Sequence, residues 1–207
     1  QPKADTFSSK YAFIGPSIPE QIGAGERAWE GCCYISLGTV NNRNLPFYQA
    51  CIEALRQESI PVVISVGEQT GLSAFRDVPE HIFLRPRVDQ LAVLARASVF
   101  VTHCGMNSAS EGLYFGVPLV LYPQQAEQGL VARRVEELGA GLRLRRASPE
   151  AIRAAVRQVR EQRSYRSRAR EIAAGFRDAG GYRRGADKIL EAAARGGGAC
   201  AENPPML

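Results

Sequence analysis

The segment Val99-Phe-Val-Thr-His-Cys-Gly-Met-Asn-Ser-Ala-Ser-Glu111 brings a histidine, a glycine and the start of a helical pattern together. An apolar run from Ser98 to Val101 halts at Thr102-His103-Cys104-Gly105, and helical spacing begins at Asn107 or Ser108, as where a buried parallel strand feeds a helix. Such a join suits anion binding. The first N–H groups of a helix lack partners and carry the positive end of its dipole, and Gly105 lets the backbone approach a phosphate closely. His103 would stand at the strand's C-terminal end, beside that anion. The same spacing also fits a purely structural reading. Ser108 and Glu111 match a capping box, Gly105 a plain turn, and His103 a satisfied core imidazole. On these residues alone both readings stand.

Around this join the chain alternates short apolar runs with helical patterns. Strands are expected at Cys32 to Leu37, Val62 to Val66, His81 to Leu84, Leu119 to Pro123 and near Leu142 to Leu144, with a strand or extended linker at Tyr11 to Gly15. Helices are expected at Leu45 to Glu58, Gln90 to Ala97, Gln124 to Gly139, Pro149 to Gln162, Tyr165 to Ala179 and Tyr182 to Ala194. Near-continuous apolar strands separated by helices imply an α/β fold, a Rossmann-like doubly wound parallel sheet. Ligands of such sheets bind beyond the C-terminal strand ends, where the His103 join falls.

Several ordered blocks carry a resemblance: Phe13-Ile-Gly-Pro-Ser17, Ile35-Ser-Leu-Gly-Thr39, Arg85-Pro-Arg-Val-Asp-Gln-Leu-Ala-Val-Leu94, the THCGMNSASEGLYFGVP stretch, Pro123-Gln-Gln-Ala-Glu-Gln128 and Phe176-Arg-Asp-Ala-Gly-Gly-Tyr182. Together they resemble the C-terminal, donor-binding half of GT-B UDP-glycosyltransferases, and most of all the bacterial macrolide-type enzymes. The resemblance implies a UDP-hexose donor and a small lipophilic acceptor such as a macrolide or phenolic. It implies that His103, with the backbone of Gly105, Met106, Asn107 and Ser108, contacts the donor diphosphate. Glu111 matches the ribose-binding carboxylate. Glu127 and Gln128 match the pair that holds hydroxyls of the transferred hexose. Thr39 matches a loop facing the phosphates and sugar, with a strand-end turn as its alternative. Arg87, Val88 and Gln90 fall where the family carries Trp-x-Pro-Gln against uracil, with Arg87 in place of the tryptophan and Asp89 in place of the proline. An arginine plane can still stack on a base.

The implied chemistry is inverting transfer, in which an acceptor hydroxyl attacks the anomeric carbon and the nucleoside diphosphate leaves. That needs a general base. In the resembled enzymes the base lies in an N-terminal domain, and neither His81 nor His103 matches it. The chain is therefore expected to act with an N-terminal acceptor-binding domain or a partner chain. Residues 1–18 read as an interdomain linker, 19–195 as the donor-binding domain and 196–207 as a disordered tail. Other classes are a stand-alone donor-binding subunit of a split transferase and a non-catalytic nucleotide-binding module. No cofactor and no metal are expected, since the sequence carries no Asp-x-Asp motif.

Composition narrows the classes further. The 207 residues hold five cysteines without Cys-x-x-Cys spacing, which suggests neither a disulfide framework nor a zinc site and fits a reducing cytoplasm. Cys104, next to His103, is expected to be a buried packing residue, because neighbours leaving a strand point to opposite sides. The net charge of +5 comes with arginines crowded between Arg143 and Arg184. They alternate with Glu150, Glu161, Glu171 and Asp178 and leave apolar stripes at helical spacing, so solvated helix faces, not a nucleic-acid surface, are expected. No segment is long and apolar enough to span a bilayer.

Overall fold

A computed structural model describes residues 7–8, 11–40 and 42–196. Six strands alternate with seven helices: β1 (Cys33–Ser36), α1 (Leu45–Leu55), β2 (Val62–Ser65), β3 (Ile82–Arg85), α2 (Gln90–Leu94), β4 (Val99–Thr102), α3 (Met106–Tyr114), β5 (Leu119–Leu121), α4 (Ala126–Glu137), β6 (Gly141–Arg143), α5 (Pro149–Glu161), α6 (Arg163–Asp178) and α7 (Gly181–Gly196). Every pairing is parallel, in the order β3-β2-β1-β4-β5-β6. This is the expected doubly wound α/β sheet. Its order reverses between β1 and β4, so the loops after these two strands diverge and leave a crevice.

Side-chain alternation along the strands builds a core on each face. Cys33, Ile35, Val62, Ile64, Val99, Val101 and Val120 face one side, where Phe47, Ile52, Ile152, Val156 and Val159 of α1 and α5 cover them. Tyr34, Val63, Phe100, Leu119 and Leu121 face the other, beneath Val93 and Leu94 of α2, Leu113 of α3, Val135 of α4 and Ala169 of α6. Because both faces are covered, β1 and β4 are buried at every position. The arginine-rich C-terminal region behaves as its stripes require. Ile152, Ala155, Val156 and Val159 are buried, while arginines ring the helices in pairs such as Arg168 with Glu171 and Arg157 with Glu58.

Helix starts show a division of labour. Asn44, Asp89 and Ser148 cap α1, α2 and α5 by accepting hydrogen bonds from first-turn N–H groups. No side chain caps α3 or α4. The capping box therefore does not form. Helix α3 starts at Met106 with Gly105 as its N-cap, which places Ser108 inside the first turn, and the Glu111 side chain bonds elsewhere. Smaller differences lie at element ends. Residues Tyr11 to Gly15 form no strand, which leaves the linker reading of that stretch, while α2 ends at Leu94 instead of Ala97, β6 begins at Gly141, and α6 begins at Arg163. Residues 197–207, the bulk of the expected tail, and residues 1–6, 9 and 10 of the expected linker lie outside the described residues.

Among the described residues four cysteines, Cys32, Cys33, Cys51 and Cys104, are buried free thiols. Burial pushes the Cys32 and Cys104 thiols up to about 12, and those of Cys33 and Cys51 well above the ordinary range. Cys104 fills the core as expected, and its backbone turns left-handed at φ 67. No helix among the described residues is long and apolar enough to cross a membrane.

Glycine is required where β6 joins the sheet. A Cβ on Gly141 would lie 2.7 Å from the Leu119 carbonyl oxygen, a backbone atom that cannot swing aside. Gly141→Ala is expected to destabilise the chain by ~1–3 kcal/mol, read as a lower urea midpoint by circular dichroism.

Candidate functional site

A cavity of about 1100 Å³ opens at the C-terminal ends of β1 and β4. Of the residues singled out from the sequence, Thr39, Arg87, Val88, Gln90, His103, Gly105, Met106, Asn107, Ser108, Glu127 and Gln128 line it. Glu111 does not reach the wall itself; its Oε2 accepts a hydrogen bond from Gln90 Nε2, and Gln90 does line the cavity. Tyr34, Ser36, Gly38 and Asp89 also line it and were not singled out. Gly38 carried a signal in its place next to Thr39 at a strand end; Tyr34 reads as an ordinary apolar strand residue.

His103 is set into the wall with little freedom. A Cβ on Gly38 would lie 2.6 Å from the ring's Cε1, and one on Gly105 would lie 2.5 Å from Nε2. Only glycine at both positions lets backbone lie so close to the imidazole. Gly38, at φ +79, is held from both sides: its N–H donates to Ser36 Oγ at 3.2 Å, and its carbonyl accepts from Asn42 Nδ2 at 3.0 Å. Burial pulls the His103 pKa below its ordinary value of 6.5, partly offset by the Ser36 main chain and by the charge of Glu127. Nδ1 is buried without a hydrogen-bond partner. The ring is therefore largely neutral at pH 7, and a negative charge nearby would favour its protonation.

Of α3, α4 and α6, which all start without a side-chain cap, the first two start at this cavity. Gly105, Met106, Asn107 and Ser108 open α3, and Gln125, Glu127 and Gln128 open α4. Their first-turn N–H groups and dipole ends add partial positive charge beside His103. Gln128 is buried, and its Oε1 accepts from the Gln124 N–H at 2.8 Å, which fixes the turn before α4. Asp89 caps α2, its Oδ1 accepting from Leu91 N–H at 3.1 Å and Ala92 N–H at 3.2 Å. A carboxylate there orders the helix start that carries Gln90. Arg87 is exposed on the cavity rim.

Residues 51–178 match the family described as the erythromycin biosynthesis protein CIII-like, C-terminal domain. The chain belongs to this family. It is 41% identical over 199 residues to an uncharacterized UDP-glucosyltransferase, YojK, of Bacillus subtilis, covering 93% of this chain and 49% of that protein. It is 38% identical to the NDP-glycosyltransferase YjiC of Bacillus licheniformis, covering 91% of this chain and 50% of the relative. Among solved structures it superposes on CalG4, the calicheamicin glycosyltransferase, with a TM-score of 0.85 at 30% identity, over 94% of this chain and 51% of that one. The chain thus has the fold of the C-terminal half of GT-B glycosyltransferases and spans about half the length of these relatives.

The remaining histidine of the chain, His81, is structural. His81 Nε2 lies 3.1 Å from the Leu55 carbonyl and ties the start of β3 to the end of α1.

The depressed pKa of His103 links the site to stability. Unfolded, the ring titrates near 6.5; folded, it titrates lower, so between those values the unfolded chain binds more protons. Its contribution is complete above pH 6.5 and is lost as the pH falls through the folded value. Urea midpoints measured from pH 7.5 down to pH 5 should fall less steeply in His103→Gln than in the unsubstituted chain.

Proposed function

We propose that this chain is the donor-binding half of an inverting, metal-independent glycosyltransferase that takes a UDP-hexose. One observation carries the reading above the others: His103 is lodged between two glycines at the mouth of two uncapped helices, on the wall of one cavity. The printed names of the relatives, a UDP-glucosyltransferase and an NDP-glycosyltransferase, support a nucleotide-sugar donor.

In this reading the diphosphate lies against the first turn of α3, with His103 beside it. As an acceptor hydroxyl attacks the anomeric carbon, the bond from that carbon to the diphosphate oxygen breaks and the leaving group gains negative charge. Donors already aimed at those oxygens stabilise that charge more than they stabilise the intact donor. His103 contributes an N–H, and its tendency to protonate grows as the charge develops. The dipole ends of α3 and α4 contribute without moving. Glu127 and the amide of Gln128 receive hydroxyls of the hexose, Arg87 and Val88 face the base, and Glu111 serves the ribose. The base that deprotonates the acceptor, and the acceptor pocket itself, come from a further domain or partner chain. The acceptor is a small lipophilic molecule.

UDP should bind this chain in calorimetry, and His103→Ala should weaken binding by ~1.5–3 kcal/mol through loss of one charge-assisted hydrogen bond. Unchanged affinity in a folded His103→Ala chain would remove the histidine from the phosphate site. EDTA should leave UDP affinity unaltered; abolition by EDTA with recovery on adding Mg²⁺ would overturn the metal-independent reading.

The chain alone should transfer no hexose from UDP-glucose to phenolic or macrolide acceptors, followed by mass spectrometry. Robust transfer would mean that the base lies within these residues.

A further inference from the structure

A chain of hydrogen-bonded polar groups runs from the buried Tyr34 in the sheet through the half-buried Gln90 into α3. Tyr34 on β1 is 1% exposed and stacks on Phe100 with ring centroids 4.8 Å apart. Its hydroxyl donates to Gln90 Oε1 at 3.1 Å. Gln90, the first residue of α2, donates from Nε2 to Glu111 Oε2 at 2.5 Å and to Ser108 Oγ at 3.3 Å. Chemistry fixes which way round the amide lies. A carboxylate accepts only, so the amide nitrogen must face Glu111, and the amide oxygen then needs the donor that the phenol supplies. Burial raises the Tyr34 pKa, so the hydroxyl keeps its proton throughout the physiological range.

Phe would stack on Phe100 equally well. What the hydroxyl adds is a direction for Gln90, and through it a fixed position for Glu111. Gln90 engages Oε2 of Glu111, so Oε1 is the acceptor atom that the carboxylate has left for a further donor. A carboxylate held in this way discriminates sharply for a hydroxyl, because a ligand that lacks it leaves a desolvated acceptor unpaired.

We propose that Tyr34 is a positioning residue for the pentose of the bound nucleotide and that, through Gln90 and Glu111, it sets selectivity for a ribose over a 2′-deoxyribose. The inference rests on the donor reading above. Tyr34 itself touches no reacting atom.

The test compares UDP with 2′-deoxy-UDP by calorimetry on the chain and on Tyr34→Phe, which keeps the ring and removes one oxygen. The unsubstituted chain should prefer UDP by roughly tenfold or more. In Tyr34→Phe that ratio should shrink by at least about threefold, mainly through weaker UDP binding. Gln90→Met breaks the same chain at its middle link and should shrink the ratio likewise, which covers the case in which Tyr34→Phe does not fold. A packing role alone would lower the melting temperature and leave the ratio unchanged. Full selectivity in folded Tyr34→Phe, or no selectivity in the unsubstituted chain, overturns this inference and leaves the donor reading standing. No UDP binding by the unsubstituted chain overturns the donor reading, and the inference with it.

Discussion

Everything at the cavity depends on the close approach of two backbone segments to one imidazole. Gly38 and Gly105 come from loops after different strands, β1 and β4, which are adjacent only because the sheet reverses its order between them. The ring between them therefore reports the register of the whole sheet. A shift of either strand by one residue would turn its side chains to the other face and replace a glycine by a side chain that cannot fit. The buried strands, the two apolar faces and the helices that cover them hold that register.

Much of this was legible in the sequence. Near-continuous apolar runs separated by helical spacing defined the doubly wound sheet, because parallel strands are covered on both faces and show little alternation. The strand end at Thr102 and the glycine at Gly105 marked the join, and all but one of the singled-out residues line the cavity. Cys104 in the core followed from strand alternation, but its left-handed backbone did not, since nothing local in the sequence marks it. The capping box failed for a tertiary reason. Ser108 and Glu111 have the right spacing, yet Gln90, eighteen or more residues away in sequence, engages both, and Gly105 starts the helix a turn earlier. Tyr34 was invisible for a similar reason: its partner Gln90 lies 56 residues away.

The missing caps at α3 and α4 have a physical logic that the uncapped start of α6, away from the cavity, does not share. A side-chain cap at a helix start typically contributes ~1 kcal/mol by satisfying an orphan N–H. Helices α1 and α5 have such caps away from the cavity, whereas α3 and α4 do without them where they open onto it. Asp89 combines both demands, since it caps α2 and still lines the cavity wall. The uncapped starts of α3 and α4 are thus places where local stability is lower and a ligand's oxygens can complete the hydrogen bonding that the chain leaves open.

The four buried thiols give the molecule a built-in clock. Only the thiolate reacts with an alkylating reagent, and a thiol with a pKa of about 12 is ionised at pH 7 to about one part in 10⁵. Cys33 on β1 and Cys51 on α1 belong to the core between the sheet and α1 and α5, while Cys32 and Cys104 lie on the opposite face. Each sulfur therefore reacts when its own side of the sheet opens. The order in which these four are alkylated over time would record which layer of helices lifts first.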